Sequence, residues 1–433
     1  MRPRALLLAA VLTLVLAPSA GAEPVSMPYS ENFLAVAYGL GHVLVAEPGP
    51  GAAKSVAIRD LRLADRSDRV LLEIPYSEAE APDVELVANA SGYVAALGGA
   101  HIRVIEGDYD SAQRTLLDCA PTRRSQLAMA AGTASFALAG LPCGPAGPVT
   151  VTADGTLTPA GSEPAADALA YAEPFLALRS GDTTTVRDLT TGAERRVASG
   201  DAESIAVTTD GTLLKPTTDG LFAWPPGATE PSLLFKRPAG GVAVVAGRAV
   251  FDTFTAPRIV GLGGGTAHTL STPGAGLTSL LGFDGTHAAF HSFSCAGARQ
   301  VTVVDVDAPR APGEVSGCPV RIAAYGLRFP KSGKATIRVS CPNGCRARLR
   351  LVEQSTERRP CDALDDTGRN HCRTIATARL DLPAAQGRRP VHFTLTRTGR
   401  RLRGRTLDVI TSSRGNSGLT FHGEIRRAVL AGA

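Results

Sequence analysis

The sequence predicts an all-β protein, a β-propeller of seven blades followed by a small β-sandwich. Three observations predict it. Short apolar strands recur about every 40 residues, Asp-Gly turns separate several of them, and strands of strict polar and apolar alternation fill the last quarter of the chain. Helical periodicity is scarcely visible before residue 310.

The first element along the chain is an export signal. Arg2 and Arg4 precede an apolar run from Ala5 to Ala17, and the small residues Ala20-Gly21-Ala22 follow it. This pattern is typical of a secretory signal peptide over 1–22, cleaved after Ala22. The run is shorter than the roughly 20 residues that cross a bilayer. We therefore expect a mature protein without a membrane span that is secreted or associated with the cell wall.

The repeat defines the next domain, 23–308. Markers in the first strand of each unit lie between 36 residues (169 to 205) and 53 residues (33 to 86) apart, and they are Phe33, Leu86, Leu127, Leu169, Ile205, Val242 and Leu280. Each unit continues with two or three further strands, as propeller blades do. The third unit, with its insertion LPCGPAGP, departs most from the pattern, so six or eight blades remain alternatives.

The seventh unit supplies only three strands before the chain enters APRAPGEVSG, which predicts a linker over 309–330. A propeller must close its ring. We therefore expect the segment from Pro24 to Tyr29 to add the outer strand of the last blade.

Eight cysteines in an exported chain favour disulfides over metal sites. Pairing of neighbours along the chain is the simplest of about 105 possible connectivities. The expected pairs are Cys119 with Cys143, Cys295 with Cys318, Cys341 with Cys345, and Cys361 with Cys372.

The charge is divided unequally along the chain. Residues 23–318 carry 20 Lys and Arg against 32 Asp and Glu, a net charge of −12, whereas residues 319–433 carry 23 against 8, a net charge of +15. The sequence therefore predicts an acidic propeller and a basic domain over 331–433. Nearly all the basic residues of this domain are arginine, which a GC-rich genome also produces without selection for binding.

Three arginines alternate with apolar residues in CRARLRLV, namely Arg346, Arg348 and Arg350. On a strand their stems line one face about 6 to 7 Å apart. Four more arginines follow in GRRLRGR, a predicted turn or short helix, and they are Arg400, Arg401, Arg403 and Arg405. An anionic polymer such as a teichoic acid, an acidic glycan or a nucleic acid without sequence preference would suit these guanidinium groups. The alternative is a solvated strand face in an arginine-rich protein.

Two resemblances accompany these patterns. The segment FDGTHAAFHS followed by VTVVDVD, within 283–307, and TTTVRDLTTGAERRV at 183–197 resemble the WD40-like repeats of TolB-type propellers. That resemblance implies a propeller with a binding face, and no catalytic residues. The segment CPNGC at 341–345 with the Arg/Leu strand after it is similar to Ig-like modules at the C-termini of secreted actinobacterial proteins. That similarity implies an Ig-like sandwich and no specific ligand.

No motif predicts catalysis, a cofactor or a metal. GLGGGT at 261–266 precedes a strand rather than a helix, which favours a hairpin loop over a phosphate site. His287 and His291 share a strand face without an adjacent third ligand. The acidic pairs Asp108 with Asp110 and Asp365 with Asp366 lack the spacing of a calcium loop. Packing is the favoured role for Trp224, with sugar stacking as the alternative.

Three functions follow as hypotheses. The first is a non-enzymatic binding protein at the cell envelope, with the propeller as binding face and the basic domain as electrostatic attachment to an unidentified polymer or protein. The second is an extracellular propeller lyase or hydrolase, with His101, His268 and His287 as candidates for a cluster at one end of the channel. In the third, the basic domain docks on the acidic propeller. The oligomeric state is not predicted.

Overall fold

The computed structural model describes most of the chain after the predicted signal peptide. The described residues are 24–29, 32–49, 54–76, 82–98, 101–110, 112–120, 127–141, 143–145, 147–152, 154–162, 166–198, 204–253, 256–272, 274–308, 317–322, 324–353, 373–384, 387–414, 419–422 and 425–432. The signal peptide, the pair Cys361 and Cys372, and the pair Asp365 and Asp366 lie outside these residues.

Seven four-stranded antiparallel sheets follow one another along the first three quarters of the chain. Blades 1 to 3 contain β2 (Ala35–Gly39), β3 (His42–Pro48), β4 (Ser55–Arg62), β5 (Asp68–Pro75), β6 (Asp83–Ala88), β7 (Tyr93–Gly98), β8 (Ile102–Gly107), β9 (Gln113–Cys119), β10 (Ala128–Ala131), β11 (Phe136–Ala139), β12 (Val149–Val151) and β13 (Leu157–Pro159). Blades 4 to 6 contain β14 (Ala168–Ala172), β15 (Phe175–Ser180), β16 (Thr183–Asp188), β17 (Glu194–Ala198), β18 (Ala206–Val207), β19 (Leu213–Pro216), β20 (Leu221–Trp224), β21 (Ser232–Phe235), β22 (Val242–Val245), β23 (Arg248–Phe251), β24 (Arg258–Gly261) and β25 (His268–Thr269). Blade 7 contains β26 (Ala275–Phe283), β27 (His287–Ser294), β28 (Arg299–Asp305) and β1 (Val25–Pro28).

The blades form a closed ring. The first strand of each blade contacts the first strand of the next, and β26 of blade 7 contacts β2 of blade 1, so the first strands are innermost. Apolar side chains fill the spaces between blades, for example Leu44 and Ile58 of blade 1 against Leu86 and Tyr93 of blade 2. The predicted seven-bladed, all-β propeller is confirmed.

The predicted Asp-Gly turns join strands where the backbone needs a left-handed residue. Gly211, between β18 and β19, has φ of +82°, and Gly285, between β26 and β27, has φ of +98°. Glycine adopts these angles without the steric cost of a Cβ atom. Asp210 and Asp284 accept hydrogen bonds from backbone amides of the same turns, which stabilises each hairpin.

The N-terminal strand closes the ring, as the sequence predicts. β1 pairs antiparallel with β28 as the outer strand of blade 7, with Val25 opposite Val303 and Met27 opposite Val301. Met27 is buried between blades 7 and 1. Across the same seam, the Tyr38 hydroxyl donates a 2.7 Å hydrogen bond to Asp284.

The C-terminal region forms nine paired strands around one core. In spatial order they are β30 (Gly326–Phe329), β37 (Arg427–Leu430), β35 (Thr406–Arg414), β32 (Cys345–Glu353), β33 (Thr374–Leu382), β34 (Arg389–Leu395), β31 (Lys334–Ser340), β29 (Cys318–Ile322) and β36 (Leu419–His422). The first residues of β35 pair with β37 and its later residues with β32. β35 therefore belongs to both layers, as expected for a sandwich-like fold whose layers enclose one core containing Phe329 and Phe393.

The only described helix, α1 (Arg397–Arg401), has five residues and joins β34 to β35. The side chain of Thr396 accepts a hydrogen bond from the Gly399 amide and caps its start. Within the described ranges, no helix has the length and apolar character needed to cross a membrane.

The predicted linker is shorter than 309–330. β29 and β30 lie inside that segment and belong to the C-terminal sheet, because Val320, Leu327 and Phe329 are buried in its core. Both strands are short and the first contains Pro319, so the alternation of polar and apolar residues did not predict them. The C-terminal sheet therefore begins at Cys318.

Three of the four predicted disulfides are present: Cys119 with Cys143, Cys295 with Cys318, and Cys341 with Cys345. Cys295 follows β27 of the propeller and Cys318 opens the C-terminal sheet. This bond therefore joins the two domains covalently.

Removing the buried part of Met27 is expected to weaken ring closure. We expect Met27→Ala to cost about 2 kcal/mol of stability, the lower end for truncating a buried methionine. The melting temperature should fall by several degrees in a thermal unfolding experiment. Thr158→Ala, at an exposed position of β13, the outer strand of blade 3, serves as the control. Equal melting temperatures for both variants would contradict closure through β1.

Candidate functional site

The strongest candidate site is the exposed face of the C-terminal sheet. Along β31 and β32, polar residues alternate with buried apolar ones, so one side of each strand faces solvent. Seven basic residues project from this side, and together they are called the cationic sheet face: Arg321, Lys334, Arg338, Arg346, Arg348, Arg350 and Arg379. The side chains on the other side of the same strands are buried in the core.

The strand register brings the predicted arginines together with residues that the sequence analysis did not select. Arg346 lies opposite Asp381, Arg348 opposite Arg379, and Arg350 opposite Thr377. Directly opposed residues have Cβ atoms about 5 Å apart. The three arginines of CRARLRLV thus share the face with Arg379 of the neighbouring strand.

Acids on this face lie toward its two ends and are held by arginines. Asp381 lies 3.4 Å from Arg346 and 3.7 Å from Arg379, and Glu353 lies 3.1 Å from Arg373. Arg348, between these ends, forms no ion pair or hydrogen bond with a side chain among the described residues. The centre of the face therefore has an uncompensated positive charge.

Arg348 and Arg379 form a like-charge pair across two strands. Such a pair destabilises a sheet when nothing lies between the charges. Both residues are exposed, and 82% of the Arg379 side chain is accessible to solvent. An anion bound between the two guanidinium groups would turn this repulsion into two charge-assisted contacts.

A groove of about 700 Å³ runs over this part of the face. Arg346, Arg348, Arg379 and His392 line it from the C-terminal sheet, and Ala296 of blade 7 lines it from the propeller. The Nδ1 atom of His392 is hydrogen-bonded to the hydroxyl of Thr336 at 2.8 Å. The groove thus has walls from both domains.

Short contacts fix the domain junction beside this groove. The Arg346 amide donates to the Cys295 carbonyl at 2.9 Å, and the Asn343 side chain donates to the Gly317 carbonyl at 2.7 Å. The Gly317 amide donates to the Thr272 carbonyl of the propeller at 2.9 Å. Together with the Cys295–Cys318 disulfide, these bonds restrain blade 7 relative to the basic face.

The second group of predicted arginines lies elsewhere. Arg400 and Arg401 are exposed in α1, which packs on the ends of β33 and β34 away from the disulfide. Arg403 donates to the Lys331 carbonyl at 2.9 Å, and Arg405 immediately precedes β35. The seven arginines that the sequence suggested as one surface are therefore divided between the sheet face and the α1 end of the sheet, where Arg403 lies beside Gly333.

The three histidines named as candidates under the enzyme hypothesis are dispersed. His101 precedes the third strand of blade 2, His268 lies on the outer strand of blade 6, and His287 begins the second strand of blade 7. His101 lies 3.6 Å from Asp118 and His287 lies 3.8 Å from Asp284. These three histidines do not converge on one end of the channel.

His291 packs in an aromatic cluster with Tyr29, Phe33 and Phe293. Burial, with a contribution from Arg299, lowers the pKa of its imidazole. His291 is therefore a packing residue at the seam of blades 7 and 1. No group of three metal-ligating side chains occurs in the part of the chain that the structure describes.

The remaining candidates have structural roles. Asp108 accepts hydrogen bonds from the Asp110 and Ala112 amides at 2.9 Å, as in an Asx turn. GLGGGT joins β24 to β25 as a hairpin loop. Trp224 is buried between strands of blades 4 and 5, and its carbonyl accepts from Arg195 at 2.9 Å.

The central channel is bounded by innermost strands of mainly apolar residues. Their ionisable side chains are Tyr38, Asp83, Glu85 and Tyr171. Solvent reaches Glu85, but the surrounding protein removes part of its hydration and Asp83 repels its charge. Burial and this repulsion raise the pKa of the Glu85 carboxyl to about 6.

The chain is similar in shape to solved structures. No family model and no curated protein matches the chain. The β-propeller domain of the Trilobed protease from Pyrococcus furiosus has a TM-score of 0.45 and 10% identity over 64% of this chain and 96% of that domain. The extracellular domain of a putative one-component system from B. thetaiotaomicron has a TM-score of 0.38 and 9% identity over 96% of this chain. The match covers 59% of that protein.

Replacing Glu85 is expected to change how stability depends on pH. A carboxyl whose pKa is raised by folding contributes stability at low pH, and this contribution is lost as the pH rises from 4.5 to about 6. Glu85→Gln removes the titration. The melting temperature of the variant minus that of the parent should therefore increase between about pH 4 and about pH 8.

Glu230→Gln, in the exposed turn between β20 and β21, is the control. A difference for Glu85→Gln that stays constant across this pH range would contradict the raised pKa.

Proposed function

We propose that this chain is an extracellular, non-enzymatic binding protein that attaches to an anionic polymer of the cell envelope through the cationic sheet face. The propeller then presents its own surface to a second partner. The observation that carries the proposal is the uncompensated Arg348 opposite Arg379 at the centre of that face. Guanidinium groups bind phosphate and carboxylate groups through paired hydrogen bonds, and exposed arginines are available for such contacts.

An extracellular location is supported by two features. The first 22 residues have the pattern of a secretory signal. Three disulfides also form among the described cysteines, and such bonds persist in oxidising compartments.

Attachment to an external polymer is favoured over docking of the basic domain on the propeller. If the positive charge served only to hold the acidic propeller, its arginines would be covered by propeller carboxylates. Instead, Arg346 is paired with Asp381 of its own sheet, and Arg379 is largely exposed. The propeller residue that borders the groove is the uncharged Ala296.

A binding role is also favoured over the glycan lyase or hydrolase alternative. Propeller enzymes gather ionisable side chains from several blades around the channel. Here the candidate histidines lie on separate strands of blades 2, 6 and 7, and the innermost strands are mainly apolar. These placements support the proposal of a protein without a catalytic centre in its propeller.

Charge-driven attachment can be tested with matched arginine variants of the full chain. We expect the parent protein to bind isolated envelope polymers at about 50 mM salt and to be released at about 500 mM, because salt competes with exposed ionic contacts. The variant Arg346→Gln/Arg348→Gln/Arg350→Gln should bind at least tenfold more weakly in a sedimentation assay.

The control Arg400→Gln/Arg401→Gln/Arg405→Gln loses the same charge from the other arginine group and should bind almost as the parent does. Equal weakening of both triple variants would show that only total charge matters. Binding of the parent that is insensitive to salt would overturn electrostatic attachment.

A further inference from the structure

We infer that the bound polymer lies in the groove between the two domains, that its repeating anionic group is a phosphodiester, and that blade 7 forms one wall of the site. This inference rests on the proposed function and assigns to it a place and a ligand chemistry. The residues that carry it are Arg348 and Arg379, which oppose each other across the strands, and Ala296 on the facing loop.

The centre of the groove suits one anion held from two sides. The opposed Cβ atoms of Arg348 and Arg379 are about 5 Å apart, and both side chains extend toward solvent. Two guanidinium forks therefore reach the same anion from neighbouring strands. Such an anion relieves the repulsion that the empty pair creates.

A phosphodiester fits this pair better than a carboxylate. A carboxylate has only two acceptor oxygens, and two guanidinium groups use both of them. A phosphodiester has two charged oxygens for the guanidinium groups and two ester oxygens that remain as further acceptors. The hydroxyls of Thr377 and Thr394, which also line the groove, are additional donors for ester or bridging oxygens.

The strand spacing suits a polymer rather than a single anion. Arg346, Arg348 and Arg350 leave the same side of β32 at intervals of about 6 to 7 Å. A chain that follows β32 meets Arg346 and Arg348 in the groove and then the half-buried Arg350 beyond it. Arg338 and Lys334 of β31 extend the positive surface sideways. Successive phosphates can therefore be bound along one strand.

The polymer is inferred to lack nucleobases. Proteins that bind single-stranded nucleic acid combine basic grooves with aromatic side chains on which bases stack. Among the described residues that line the groove there is no phenylalanine, tyrosine or tryptophan, and the one aromatic ring among them, that of His392, is hydrogen-bonded to Thr336. A polymer of polyol phosphates suits the site, because its phosphates can contact the arginines and it has no bases that would stack on aromatic side chains.

A site to which both domains contribute is called composite, and the propeller contributes to it through Ala296. Ala296 is exposed on the loop between β27 and β28, and the loop is held to the sheet by the Cys295–Cys318 disulfide and by the Arg346 amide. A polymer on Arg346 and Arg348 therefore passes close to Ala296. A charge introduced there acts on the polymer without changing any arginine.

Charge substitutions at Ala296 test the position of the polymer. With poly(glycerol phosphate) as probe at about 50 mM salt, Ala296→Glu should weaken binding about fivefold or more and Ala296→Lys should strengthen it, since charges in a groove are screened over only about 10 Å. Ala228→Glu and Ala228→Lys, in an exposed turn of blade 5, are matched controls expected to change affinity less than twofold.

The outcomes separate the two proposals. If the Ala296 variants bind as the parent does while the triple variant at Arg346, Arg348 and Arg350 is weakened, the polymer lies on the face but outside the groove. The composite site is then wrong and the proposed function stands. If the triple variant also binds as the parent does, both proposals fail.

Competition between polymers of equal length and charge tests the ligand chemistry. Poly(glycerol phosphate) should displace a labelled copy of itself at concentrations at least tenfold lower than polygalacturonate or oligothymidylate. Tighter binding of polygalacturonate would overturn the phosphodiester assignment. Tighter binding of oligothymidylate would show that nucleobases contribute and would overturn the inference of a base-free polymer.

Discussion

The hydrogen bonds between β1 and β28 determine much of this architecture. Each blade buries both faces against its neighbours, so an incomplete seventh blade would expose the apolar residues between blades 7 and 1. β1 supplies the missing outer strand, and Met27 and the Tyr38–Asp284 hydrogen bond complete the same seam. Because the N-terminal segment completes blade 7, the chain leaves the propeller after the third strand of that blade. The next domain therefore starts beside the closure.

This exit places the C-terminal sheet against one particular loop of the propeller. Cys295 and Cys318 lie on either side of the exit, and their disulfide brings the first strand of the sheet to blade 7. The hydrogen bond from the Arg346 amide to the Cys295 carbonyl then places the arginine strand next to the propeller loop. The closure of the ring and the position of the groove thus both follow from the exit of the chain after the third strand of blade 7. An acidic propeller and a basic sheet can adjoin here while the central arginines stay exposed.

The sequence predicted those structural features that depend on local or periodic patterns of residues. The seven blades, the closing strand and three disulfides between neighbouring cysteines follow from repeat length, the missing fourth strand and short loops. The basic face could be predicted only in part, because Arg348 and Arg379 are 31 positions apart and meet only through strand register. The segments ATIRVSC, TARLDL and VHFTLTR each contain a basic residue in alternation, but their alignment requires the sheet. The separation of Arg400 and Arg401 from the face depends likewise on where α1 packs.

The high arginine content of the domain can be explained by the composition of the genome. The arrangement of the arginines indicates that composition is not the whole cause. A compositional excess places arginines at any exposed position, with a cost in stability where two of them oppose each other on adjacent strands. Exposed positions of this sheet also accommodate threonine, as at Thr336 and Thr394, so a neutral residue is acceptable at such sites. The opposition of Arg348 and Arg379 therefore carries a cost that the fold does not require. Asp381 contacts Arg379 and Arg346 but not Arg348, and solvent only screens the remaining repulsion. A ligand that binds both guanidinium groups offsets it directly.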